Sequence, residues 1–177
     1  MRLFFALWPD ARVRAQIADA AAVLRVDCAA RPVPPENFHL TMAFVGEVTA
    51  SQLAVLQQIG GAERTAGCTI KLDAFEYWPE PQVVVAAAHE TPAALIELRS
   101  RLHRALTHLP VPSRPTAPLR PHVTLARKVT QAPVPQAMSP IDWRVRSFSL
   151  ARSDTSGARS VYTVVDTWPL LDELPNK

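Results

Sequence analysis

Two segments of this chain repeat one pattern 83 positions apart: Asn37-Phe38-His39-Leu40-Thr41-Met42 and Arg120-Pro121-His122-Val123-Thr124-Leu125. Both read His-apolar-Thr-apolar. Side chains of a strand alternate between faces, so His39 and Thr41 point one way while Leu40 and Met42 point the other. His122 and Thr124 part from Val123 and Leu125 in the same manner. Each strand must therefore bury one face and offer an imidazole and a hydroxyl on the opposite one. Internal similarity of this kind is a mark of duplicated supersecondary units.

The rest of the chain reads as helices and strands around these two. Residues 1–8 predict a buried strand, closed by Pro9. Asp10 is placed to cap a helix over 11–26, with Val13, Ile17, Ala20 and Leu24 on one stripe. A proline-rich connector, 31–35, leads into the first motif strand, 38–45, which Gly46 ends. Thr49 with Gln52 has capping-box spacing for a helix reaching residue 59, where Gly60-Gly61 breaks it. Segments 68–77 and 82–88 predict a hairpin. Thr91-Pro92 predicts a helix start with proline at the first helical position, followed by the stripe Leu95, Leu98, Leu102 and Leu106. Prolines 110, 112, 115 and 118 predict an irregular loop, and strands follow at 121–127, 143–151 and 160–167. Helices and strands mix without regular βαβ alternation, which predicts an α+β fold with mostly antiparallel sheet.

Composition excludes several classes. Hydrophobic residues make up 48% of the chain, enough for a packed core. The longest apolar runs, 3–8 and 83–88, are far too short to span a bilayer. A lone Arg2 before six apolar residues is not signal-peptide architecture, so a cytoplasmic address is expected. Cys28 and Cys68 lie 40 residues apart with no CxxC spacing, which predicts two buried thiols and no zinc site. Of the 19 basic residues 16 are arginines, the better partner for bidentate phosphate contacts, although a GC-rich genome would produce the same bias.

Two imidazoles and two hydroxyls converging on one point suit phosphodiester chemistry. A neutral histidine can take a proton from attacking water, and a protonated one can give a proton to the departing ribose oxygen. Threonine hydroxyls can donate to the non-bridging phosphate oxygens, where transition-state charge collects. The two motifs are locally alike, so the pattern leaves open which histidine is acid and which is base. Arg127 could add positive charge, but strict alternation from His122 would turn it away unless the strand bends or bulges. The same alternation sends Phe44 to the core. His89, His103 and His108 lack the pattern and are expected at the surface, and Trp8, Trp78, Trp143 and Trp168 are expected in the core.

At these residues the sequence resembles the two-histidine (2H) phosphoesterases, specifically the bacterial RNA 2′,3′-cyclic phosphodiesterases, also called 2′-5′ RNA ligases. The likeness extends beyond HLTM and HVTL to the opening RLFFALWPD, the run VPPENFHLTMAFVGEV, the extension HVTLARK and the closing VYTVVDTWPL. It implies a single bilobal α+β domain over 1–177, with two mostly antiparallel sheets, helices packed outside, and a pseudo-twofold cleft carrying both motifs. It implies hydrolysis of terminal RNA 2′,3′-cyclic phosphate to 2′-phosphate, with no metal and no cofactor. By the family pattern His39 is the proton donor to the leaving O3′ and His122 the proton acceptor that activates water. Thr41 and Thr124 hold phosphate oxygens, and Arg127 occupies a phosphate-binding position that requires a local bend. The implied partner is an RNA or oligonucleotide end bearing the cyclic phosphate; no membrane partner is implied. A monomer is expected, because no heptads stand out.

Microscopic reversibility allows 2′-5′ ligation at the same site. An ATP-driven ligase is disfavoured: there is no GxxxxGK[ST] loop, and Lys71-Leu72-Asp73-Ala74 lacks the KxDG form. Two other readings are a phosphodiesterase for cyclic nucleotides or 2′,5′-oligoadenylates, and a non-catalytic RNA-binding module. The last would call for aromatic platforms and a basic stripe, whereas aromatics are 7% of the chain.

Overall fold

A computed structural model describes residues 1–26, 29–109, 117–134, 136–154 and 160–172. In chain order these form β1 (Arg2–Leu7), α1 (Ala11–Ala22), β2 (Arg31–Pro32), a 3₁₀ turn (Pro35–Asn37), β3 (Leu40–Glu47), α2 (Ala50–Ala62), β4 (Cys68–Leu72), β5 (Ala74–Trp78), β6 (Val83–Ala87), α3 (Ala93–Leu106), β7 (His122–Arg127), β8 (Ile141–Val145), β9 (Ser147–Asp154) and β10 (Val161–Pro169). Cys28 and prolines 110, 112 and 115 lie outside the described residues; Pro118 is irregular, as expected, and Cys68 is buried.

The helices begin where their caps direct. The Asp10 carboxylate accepts from the Val13 amide at 2.8 Å, and Val13 and Ile17 turn inward. This helix stops at Ala22, short of residue 26. At α2 both halves of the capping box form between Thr49 and Gln52. Contrary to expectation, α2 runs straight through Gly60-Gly61. The reason is packing: a Cβ on Gly60 would meet the Trp168 ring at 2.5 Å. Glycine here is a seat for an indole rather than a helix stop. In α3, Pro92 stands at the N-cap, one place earlier than expected, and Leu95, Leu98, Leu102 and Leu106 are all buried.

Every pair of named strands is antiparallel. One four-stranded sheet has the order β10-β9-β1-β3 and another β2-β7-β6-β5, while β4 and β8 form a two-stranded ribbon. The ribbon joins the sheets. Segments that read as single strands in the sequence, 68–77 and 143–151, each break at one residue and change sheet. At Asp73 the carboxylate accepts from the His89 amide at 3.2 Å and from its ring Nδ1 at 2.8 Å. At Arg146 the carbonyl accepts from the Leu170 amide at 2.8 Å. The chain is thus α+β, and one buried cluster, including Leu3, Phe5, Leu40, Leu98, Val123 and Trp143, runs through both halves.

The motif strands occupy matching places. β1, α1 and β3 repeat as β6, α3 and β7, with β1 paired to β3 and β6 to β7. Among the described residues no helix is long and apolar enough to cross a membrane.

The Gly60 contact gives a sharp test. Gly60→Ala should destabilise the protein by about 1–3 kcal/mol through overpacking. Gly61→Ala, whose Cβ would sit 3.7 Å from Trp168 Nε1, should instead stabilise by up to about 1 kcal/mol, the helix-propensity gain. Urea denaturation of the two variants measures both signs.

Candidate active site

A β-bulge sits one residue past the threonine in each motif strand. In the β1–β3 ladder Ala6 faces Thr41 and Phe5 faces Ala43, so Met42 is extra. In the β6–β7 ladder Val85 faces Thr124 and Val84 faces Ala126, so Leu125 is extra. An extra residue resets the alternation. Met42 and Ala43 are consecutive and both buried, as are Leu125 and Ala126. The residues five places after each histidine, Phe44 and Arg127, therefore share the faces of Thr41 and Thr124. For Arg127 this is the bend that the resemblance required. For Phe44 it overturns the core expectation: the side chain is 65% exposed, with its ring 6.4 Å from that of Phe4.

Each histidine is held by the carbonyl two residues before it. His39 Nδ1 donates to the Asn37 carbonyl at 2.6 Å, and His122 Nδ1 donates to the Arg120 carbonyl at 2.7 Å. This fixes the tautomer and leaves Nε2 of each neutral ring as the reactive nitrogen. The carbonyls are themselves anchored. The Asn37 side-chain amide donates to the Ser160 carbonyl at 2.9 Å. The Arg120 guanidinium donates to Glu76 Oε2 at 2.6 Å.

The two rings have different surroundings. His39 lies among Phe4, Trp8 and Tyr162, with ring centroids 5.1, 5.1 and 4.9 Å away. His122 lies against Trp78 at 4.5 Å. Trp78 Nε1 donates to Glu76 at 2.7 Å, and the Arg120 guanidinium lies 5.1 Å from the Trp78 ring centroid. Trp8 and Trp78 are partly buried, each packed on a small buried cluster while also lying against a motif histidine. Trp143 is core, and Trp168 packs on Phe5 and Phe148. His103 also departs from expectation. It is half-buried, its pKa lowered by burial and by the charge of Arg99 and raised by the Met42 backbone at the bulge itself. His89 and His108 are exposed, as expected.

β3 and β7 touch, and electrostatics connects the two motifs. Burial pulls His39 down to about 4, opposed by its bond to Asn37 and assisted by the charges of Arg127 and His122. His122 is lowered too, first by burial, with Arg120 and Arg127 also lowering and Glu76 raising. Arg127 thus acts on both rings. Burial disfavours the imidazolium at both rings, and Glu76 supports it at His122. Among the described residues no three histidine, cysteine or carboxylate side chains cluster to hold a metal ion.

Two carbonyl-tethered imidazoles with an arginine acting on both are the arrangement that the two-histidine phosphoesterase resemblance implies. The model of the 2′-5′ RNA ligase superfamily matches residues 9–157, and the chain belongs to that superfamily. It is 34% identical to an RNA 2′,3′-cyclic phosphodiesterase of Escherichia coli, with 96% of each chain covered. It is 33% identical to one of Thermus thermophilus, over 98% of this chain and 92% of that one. A crystal structure of E. coli LigT complexed with 3′-AMP superposes with a TM-score of 0.82 at 32% identity, covering 96% of this chain and 98% of that one.

Sequence reading missed Phe44, Trp8, Trp78, Glu76 and Tyr162. A signal for the first was present: Met42-Ala43 and Leu125-Ala126 are apolar pairs that interrupt alternation at the same offset from each histidine.

Histidine titration by NMR should give His39 a midpoint near 4 and His122 one below 6.5. Arg127→Gln removes a cation and should raise both. In the unfolded chain His39 takes its proton near 6.5 and in the folded one near 4, so its contribution to stability is lost as pH falls through that window. Denaturation midpoints across the same range measure the loss.

Proposed function

We propose that this protein is an RNA 2′,3′-cyclic 3′-phosphodiesterase that hydrolyses the terminal cyclic phosphate to a 2′-phosphate in the space between the two motif strands. The observation that carries this reading is the matched pair of tethered histidines acting under one arginine, on a chain that belongs to the 2′-5′ RNA ligase superfamily. His39 is the proton donor to the leaving O3′ and His122 the acceptor that activates water. Thr41, Thr124 and Arg127 hold the phosphate oxygens. The two histidines supply both proton transfers, so the mechanism needs neither metal nor cofactor.

Burial holds His39 down to about 4 in the free protein, whereas the donor role needs a proton there. The negative charge of the bound phosphate supports the imidazolium at His39 and opposes the burial that depresses it. The exposed Phe44 ring offers the terminal base an apolar surface on the first-motif side, and Arg127 offers charge on the second. A 5′-hydroxyl can replace water and give 2′-5′ ligation, but mass action in ~55 M water favours hydrolysis. A monomer acting in the cytoplasm on RNA ends completes the reading.

The purified protein in EDTA is expected to convert an oligoribonucleotide 2′,3′-cyclic phosphate to the 2′-phosphate, identified by phosphorus NMR. His39→Ala and His122→Ala should each lose roughly 10²–10⁴-fold in rate, and Thr41→Val or Thr124→Val roughly 10²–10³-fold. A 3′-phosphate product would reverse the assigned leaving group, and binding without turnover would point to the RNA-binding module. A substrate with sulfur in place of O3′ needs no proton on departure. It should rescue His39→Ala and not His122→Ala; the opposite pattern exchanges the two roles. Because kcat/KM follows the free enzyme, its alkaline limb should begin below pH 6.5, where the pair sheds its last proton.

A further inference from the structure

The two-residue edge strand β2 brings one more cation to the face that carries the site. Arg31 lies directly across from Arg127 in the antiparallel β2–β7 pair, and directly opposed residues project from the same face. The bulge at Leu125 has already turned Arg127 onto the face of His122 and Thr124. One row of that face therefore reads Arg31, Arg127, Val83, Trp78 across β2, β7, β6 and β5.

Like charges directly opposed across a ladder destabilise it. Among the described residues neither Arg31 nor Arg127 has an ion-pair partner, whereas Arg120 is neutralised by Glu76. Burial does not explain the arrangement, since Arg31 and its neighbour Pro32 are both exposed. An anion lying beside two guanidiniums converts their repulsion into charge-assisted hydrogen bonds. A 3′-terminal cyclic phosphate continues into polymer only on its 5′ side, so one neighbouring phosphodiester is available to a cation next to Arg127.

We propose that Arg31 binds the first internucleotide phosphate on the 5′ side of the scissile cyclic phosphate, making the protein selective for RNA ends over free nucleotides. This rests on the phosphodiesterase reading. Arg127 stays with the reacting phosphate, and Arg31 extends the track one strand outward.

The test compares kcat/KM for uridine 2′,3′-cyclic phosphate with a free 5′-hydroxyl, the same nucleotide carrying a 5′-phosphate, and a pentaribonucleotide ending in the cyclic phosphate. For Arg31→Ala the preference for the pentamer over the 5′-hydroxyl nucleotide should fall roughly 10-fold, mainly through KM, as expected for loss of one charged hydrogen-bonding partner. The 5′-phosphorylated nucleotide should follow the pentamer. Arg31→Lys should retain part of the preference, and the salt slope on the pentamer should flatten by about 0.7 for one lost phosphate contact. Equal losses on all three substrates would place Arg31 at the reacting phosphate and overturn the proposal, as would no loss on any. Wild-type protein that turns over none of the three would overturn the phosphodiesterase reading itself, and the subsite with it.

Discussion

One extra residue in each motif strand, Met42 in β3 and Leu125 in β7, sets what the site contains. Without the bulges, alternation would bury Phe44 and turn Arg127 to the far side of its sheet. With them, each strand presents histidine, threonine and a third side chain on one face while keeping two consecutive apolar residues in the core. The constraint is shared between the halves, but its product differs: an aromatic ring on one side and a guanidinium on the other. A near-symmetric frame thereby acquires an apolar end and a cationic end. A nucleotide, with its base at one end and phosphate at the other, has the same polarity.

The histidines show how a fold can separate two like groups. Both rings are oriented by the carbonyl two residues upstream, so their geometry is matched while their surroundings are not. His39 is enclosed by Phe4, Trp8 and Tyr162, which offer no charge to support an imidazolium. His122 has Trp78 and, behind it, Glu76, whose carboxylate also receives Arg120. Burial depresses both rings, His39 to about 4, and Glu76 supports the charge on His122 alone. Under the proposed roles substrate charge becomes part of the catalytic apparatus, because it supports the imidazolium that burial opposes.

Local pattern made much of this legible. The capping box at Thr49 and Gln52, the Asp10 cap and the leucine stripe of α3 are all decided by neighbours within four residues, and all form as read. The paired histidines and threonines were legible because period-two alternation holds up to the bulge. What failed depends on partners distant in the chain. Gly60-Gly61 signals a helix stop until Trp168, 108 positions after Gly60, fills the space a Cβ would need. His103 looks like a polar-face residue until α3 lies on β3 and half-buries its ring. Residues 68–77 read as one strand until Asp73 meets His89.

The sequence by itself determined the two His-x-Thr strands, the helices between them, the antiparallel α+β class and the residues able to move protons, because each rests on short-range periodicity and side-chain chemistry. Only the tertiary structure decided that Phe44 faces outward, that Arg127 acts on both imidazoles, that Arg31 stands beside it, and that His39 and His122 differ in proton affinity. Those properties come from strand register and from which side chains exclude water around each ring. Both are fixed by contacts between segments tens of residues apart, which no local pattern encodes.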